Sequence, residues 1–233
     1  MANQLDLEEQ EQLDQLKHLW KQYGNLVTWL LIAVLAVFAG WNGYQYWQRN
    51  QAMQAAAMFD ELERQARASD ITRVERAFAD MKDKYGGTTY AHQAGLLAAK
   101  LFHEAGRADA AVAALTWVAG NAADAGYQSV AKLRLAALHA ESKSFDQALA
   151  QLGGDFPGEF QGLVADRRGD VLSVQGKKTE AGAEYLKAYR AMDERTEYRR
   201  LVEMKLNALG VNPRAEAAPT SAASAASAVG VSK

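Results

Sequence analysis

The chain has 233 residues, three prolines and no cysteine, with 26 Lys/Arg against 28 Asp/Glu and a formal net charge of −2. No disulfide framework, thiolate metal site or cysteine nucleophile is open to it. Residues 48–210 carry 22 basic and 22 acidic side chains, which argues against a nucleic-acid-binding face, since that needs clustered excess positive charge. Alanine is abundant and alternating Val/Ile/Thr runs are missing, so the composition points to helices throughout.

Residues 1–24 read as a polar arm. It is acidic through Asp6, Glu8, Glu9, Glu11 and Asp14, with Lys17, His18 and Lys21 towards its C-terminal end. Leu13, Leu16, Trp20 and Tyr23 recur at three- and four-residue steps. That spacing suits a short amphipathic helix, although a plain solvated terminus accounts for it equally well.

Residues 25–47 carry the strongest physical signal. No charged residue occurs between Lys21 and Arg49. The 22 residues from Leu26 to Trp47 would extend roughly 33 Å as a helix at about 1.5 Å per residue, and the hydrocarbon core of a bilayer is about 30 Å thick. Trp20, Tyr23 and Trp29 lie towards one end, and Trp41, Tyr44, Tyr46 and Trp47 at the other. Aromatic residues at both ends are the interfacial belts of a membrane helix. Small residues at Val37-Phe38-Ala39 resemble a cleavage site. The preceding arm, however, is long and acidic where a secretory leader is short and basic, so an uncleaved signal anchor is the preferred reading. Lys17 and Lys21 on one side against Arg49 on the other favour a cytoplasmic N-terminus only slightly.

Residues 48–210 read as the folded body and residues 211–233 as a disordered tail. That tail has eight alanines, four serines and two prolines, a composition that builds no core. In the body, apolar spacing and breakers predict helix pairs at about 50–68 and 71–85, 89–105 and 107–119, 127–142 and 144–152, and 160–175 and 177–192, with a last helix at 194–209. Ser69-Asp70, Gly106 and Gly176 divide three of the pairs, and Gly210 ends the last helix.

The second helices share a register. Ala77, Ala111, Ala148 and Ala181 are each followed four residues later by a larger apolar residue: Met81, Leu115, Leu152 or Tyr185. Twelve residues before the last three alanines stand Ala99, Ala136 and Gly169, all small. A small residue lets two helices approach, and the larger one fills the space beside them. A period near 34 residues with this pattern is the tetratricopeptide scheme. The predicted fold class is therefore all-α: a single transmembrane helix followed by a tetratricopeptide-like α-solenoid.

Several stretches together resemble the YfgM-type ancillary subunit family of the bacterial SecYEG translocon. They are Trp20, Tyr23 and Gly24 in the acidic arm, Gly40-Trp41 and Tyr46-Trp47 in the anchor, and Leu133-Arg134-Leu135-Ala136. Val164-Ala165-Asp166-Arg167-Arg168-Gly169-Asp170, Gly176 through Ala181 and Met204-Lys205-Leu206-Asn207-Ala208-Leu209 complete the set. The similarity covers about residues 5–210, and the order of the stretches carries it more than any single one. The resemblance implies an inner-membrane protein with a cytoplasmic N-terminus and a periplasmic repeat domain. It implies SecYEG and the membrane-anchored periplasmic folding factor PpiD as partners, secreted polypeptides as clients, and no enzymatic activity.

Repeat arrays bind on the face lined by the first helix of each pair. The register places Gln93, Leu96, Lys100 and His103 there, then Val130, Leu133, Ala137 and Ala140, then Leu163, Asp166, Asp170 and Ser173. Apolar groups with a polar rim suit exposed hydrophobic chain, although plain inter-helix packing explains many of the same residues. In the anchor, Ala36/Gly40 and Ala39/Gly43 are small pairs spaced by four, which would let another membrane helix come close. No cofactor is expected. His18, His92, His103 and His139 show no metal-ligand spacing, and no phosphate loop or nucleophile elbow occurs. Asp166 and Asp170 share a helix face, with Arg167 and Arg168 adjacent, and read as a salt-bridged pair. A repeat scaffold for envelope biogenesis or cell division is the alternative function, with a membrane-tethered enzyme behind it.

Overall fold

The computed structural model describes residues 7–213 of the chain, so the readings of residues 1–6 and of the tail from Arg214 onward lie outside the described residues. Among the described residues there are nine α-helices, one turn of 3-10 helix and no strand. The helices are α1 (Leu7–Arg67), α2 (Ile71–Tyr85), α3 (Thr89–Glu104), α4 (Ala108–Asn121), α5 (Ala125–Glu141), α6 (Phe145–Gln151), α7 (Gln161–Val174), α8 (Lys178–Ala191) and α9 (Glu197–Ala208). Two compact units divide the chain after Gln54.

The first unit holds the apolar part of α1, the one helix among those described that is long and apolar enough to cross a membrane. Leu30, Leu31, Val34, Leu35 and Phe38 are all exposed. Polar side chains here turn back on their own helix. The Thr28 hydroxyl donates to the Gly24 carbonyl at 2.8 Å, and Asn42 Nδ2 donates to the Phe38 carbonyl at 3.0 Å. A helix that satisfies its polar groups internally and offers only apolar surface is what hydrocarbon accepts.

The second unit starts at Ala55 and contains the paired helices. Three side-chain caps set helix starts. Asp70 accepts from the Arg73 amide, Thr88 from Ala91, and Asp124 from Gly126 and Tyr127; each satisfies amide donors that the first turn of a helix leaves unpaired. The turn inside each pair is also alike. Ser69, Gly106, Lys143 and Gly176 all have positive φ, between 57° and 78°. In each, the amide of the next residue reaches back five positions: Asp70 to Gln65, Arg107 to Phe102, Ser144 to His139 and Lys177 to Leu172. Gly210 repeats the device after α9, where Val211 reaches Leu206. This is the Schellman closure of a helix C-terminus.

The predicted small–large register is the core. Ala111, Ala148 and Ala181 are fully buried, and Met81, Leu115, Leu152 and Tyr185 are at most 4% exposed. Ala77 is half-buried and packs against the first core cluster. The first cluster joins Leu62 of α1 to α2–α5, the next lies around Leu152 and Val164, and the last around Tyr185, Val202 and Leu206. A small residue meets a large one tightly at Gly169, where an added Cβ would sit 2.5 Å from the Tyr185 ring.

Candidate interaction surface

Lys100 and His103 of α3 and Ala137 of α5, all placed on the partner face by the register, line one groove. Its floor is Ala99, Leu115, Ala137 and Leu138. Its rim is Lys100, His103, Arg134 and Glu141, and the cavity volume is about 240 Å³. His103 Nε2 stands 3.4 Å from Glu141 Oε2, a strut from α3 to α5. Beyond it a second hollow of about 470 Å³ shares His103, Leu138 and Glu141 and opens towards Asp109 and Gln147. Arg134 is held in place by a 3.1 Å bond from its guanidinium to the Leu96 carbonyl.

Other residues of the predicted set do different work. Gln93 donates to the Tyr127 hydroxyl at 2.7 Å and ties α3 to α5. Leu96, Leu133 and Asp166 are equivalent steps of the repeat, and each faces a later helix in the stack. The Leu96 carbonyl accepts from Arg134 while its side chain packs on the first cluster, and Leu133 packs with the cluster that contains Val164. Asp166 faces α9. It is fully buried, so its assignment to an open partner surface is corrected. Its Oδ2 accepts from Tyr198 at 2.7 Å and its Oδ1 from Lys205 at 2.7 Å. Asp170 is engaged as well, accepting from Lys205 at 2.6 Å, Tyr185 at 2.8 Å and Arg167 at 3.2 Å. Arg168 instead donates to the Leu152 carbonyl at 2.6 Å. Val130, Leu163 and Ser173 are half-buried, and Ala140 packs against the cluster around Leu152.

The Asp166–Asp170 network leaves its mark on the tyrosines. Burial, then the hydrogen bond to Asp166, pushes the Tyr198 phenol up to about 12. Burial and the bond to Asp170 push Tyr185 up as well. Both phenols therefore stay protonated and act as donors. The partners Tyr198 and Lys205 escape a sequence reading because α9 lies outside the repeat register. They stand 32 and 39 residues from Asp166, and only an added first-helix-like element brings them there.

In the apolar part of α1, Ala36, Ala39, Gly40 and Gly43 are exposed. Open space surrounds the Cα of Gly40 and of Gly43. Among the described residues, no three His, Asp or Glu side chains are placed to hold a metal ion.

Comparison with known proteins covers most of the chain. The model of a tetratricopeptide repeat-like domain family matches residues 17–211. A protein of Neisseria gonorrhoeae named ancillary SecYEG translocon subunit is 32% identical over 204 residues, covering 87% of this chain and 98% of the relative. Proteins of the same name from Haemophilus influenzae and Escherichia coli are 29% and 23% identical, over 87% of this chain and 98% and 97% of theirs. No solved structure matches the chain. The chain belongs to the tetratricopeptide repeat-like family that includes these ancillary translocon subunits.

Proposed function

We propose that this protein is a non-enzymatic ancillary subunit of the SecYEG translocon. The apolar part of α1 anchors it in the bacterial inner membrane with the N-terminus in the cytoplasm. The repeat domain stands in the periplasm, meets secreted chains as they leave the channel and passes them to membrane-anchored folding factors of the PpiD type. One observation carries the reading: a relative named as such a subunit matches nearly end to end, anchor and repeats together. A repeat domain alone would support only generic binding; a membrane helix on the same chain confines that binding to the bilayer surface.

Two measurements test it. A topology reporter fused after Lys233 is expected to read as periplasmic. A photocrosslinker at Ala39 or Gly43 in growing cells is expected to capture channel subunits. Capture of cell-wall synthases with no channel subunit would replace this reading with the envelope-scaffold alternative.

A further inference from the structure

We infer that the groove between α3 and α5 binds an extended polypeptide segment that carries a carboxylate next to an aliphatic side chain. The floor is apolar, made by Ala99, Leu115, Ala137 and Leu138. At about 240 Å³ it falls below the roughly 300–1,000 Å³ of a pocket for a small-molecule ligand, and it is partly open to solvent. It therefore suits one or two side chains of a chain that continues past it.

The rim sets the charge of the visitor. Glu141, also on the rim, lies 3.4 Å from His103 Nε2, so the rim carries two cations against one carboxylate. Lys100 is exposed and meets Glu104 only at 3.8 Å, beyond hydrogen-bond range. Arg134 pairs with no carboxylate among the described residues; its one bond goes to the Leu96 carbonyl, and the remaining donors of a guanidinium stay available. The groove thus presents Arg134, paired with no carboxylate among the described residues, and a loosely held Lys100 above an apolar floor. A carboxylate between Arg134 and Lys100, with its neighbour's aliphatic side chain on the floor, satisfies both features. A free inorganic anion would leave the floor unused, and a wholly apolar segment would leave Arg134 unanswered. The proposal takes only the source of the segment, an exported chain, from the translocon reading; the recognition rests on the groove itself.

The test uses the full chain in lipid nanodiscs and fluorescence anisotropy. The probe is a labelled peptide with a Leu-Glu-Leu core in Gly/Ser flanks, compared with its Leu-Gln-Leu and Ala-Glu-Ala counterparts. The Glu peptide is expected to bind about tenfold more tightly than the Gln peptide, the scale of one charge-assisted hydrogen bond. The Ala-Glu-Ala peptide, which leaves the floor empty, is expected to bind more weakly than the Leu-Glu-Leu peptide. Arg134→Gln is expected to erase the preference for Glu while leaving affinity for the Gln peptide in place. Ala137 is exposed, so Ala137→Phe leaves the core intact and fills the groove; it is expected to weaken Glu and Gln peptides alike. Equal binding of Glu and Gln peptides by the native protein, or native-like binding by Ala137→Phe, overturns the proposal. A chain that binds the probe as stated but crosslinks to no channel subunit keeps the groove and removes the translocon reading; the converse result does the reverse.

Discussion

Tyr185 occupies the space that a side chain on Gly169 would need: a Cβ there would lie 2.5 Å from two atoms of the ring. The ring is 4% exposed and its hydroxyl is bonded to Asp170 at 2.8 Å, so it cannot simply retreat. The contact fixes how closely α7 and α8 approach, and with it the seat of the last repeat.

Gly169→Ala therefore sets two effects against each other. Replacing a helical glycine by alanine gains about 1 kcal/mol in propensity, whereas overpacking a filled core costs about 1–3 kcal/mol. The clash is with a buried ring, so net destabilisation is expected. Gly120 in α4 is the control, since an added Cβ there meets nothing within 4 Å. Gly120→Ala is expected to raise the urea midpoint slightly and Gly169→Ala to lower it. A midpoint raised by both would show that α7 and α8 are not in close contact.

Lys143 breaks the turn pattern in a way that can be used. Its φ is 60°, at the step where Gly106 and Gly176 stand in neighbouring repeats. A left-handed non-glycine residue costs about 1–2 kcal/mol, while glycine adds roughly 0.5–1 kcal/mol of unfolded-chain entropy. Lys143→Gly is expected to be neutral to stabilising by about 1 kcal/mol. Gly106→Ala, with φ 72°, is expected to destabilise. Equilibrium denaturation of both variants checks the pair, and a strongly destabilising Lys143→Gly would refute the turn geometry.

These turns show how far the sequence can be read. Gly106 and Gly176 announce their helix ends, because glycine is the usual left-handed residue. Ser69-Asp70 marks its break only through the cap, and nothing in a serine or lysine signals the positive φ of Ser69 and Lys143. The register of Ala111, Leu115, Ala148 and Leu152 is legible because core packing repeats with the chain's own period. Lys100, His103 and Ala137 are placed by that register, and they share one groove. Asp166 is misplaced by it because the face the register assigns is covered by α9; the apolar spacing predicts that last helix but not where it docks.

Lys205 serves two carboxylates, one of them fully buried. Removing one partner from a buried ion pair costs about 3–5 kcal/mol, because the other charge is left without compensation. Lys205→Met is expected to detach α9 and destabilise the last repeat on that scale. Adding Asp166→Asn should recover part of the loss, since the amide oxygen still accepts from Tyr198 while the buried charge is gone. The phenol adds an alkaline limit. Its folded value is raised from 10.0 to about 12, so its contribution is complete below pH 10 and is lost as pH rises towards 12. Far-UV circular dichroism against pH, with Tyr198→Phe as the comparison, reads that limit directly.

His92 sets an acid limit at the other end of the stack. The side chain is 2% exposed, its Nε2 makes no hydrogen bond, and its ring lies 5.6 Å from that of Trp117 and 6.3 Å from that of Tyr127. Burial holds it below the usual 6.5, against the opposing pull of the Gly86 and Asn121 backbone and the Asp124 carboxylate. The unfolded chain then takes up the proton first as the solution is acidified. The stabilisation is complete above pH 6.5 and is lost as pH falls below it, through the lower folded value. Native protein is expected to lose stability more steeply between about pH 7 and 5 than His92→Phe, whose ring keeps the aromatic contacts but carries no proton. Urea unfolding at both ends of that range gives the comparison. Equal slopes would mean that His92 reaches solvent water in the native state, and that the packing of α3 against α4 and α5 is looser than its burial indicates.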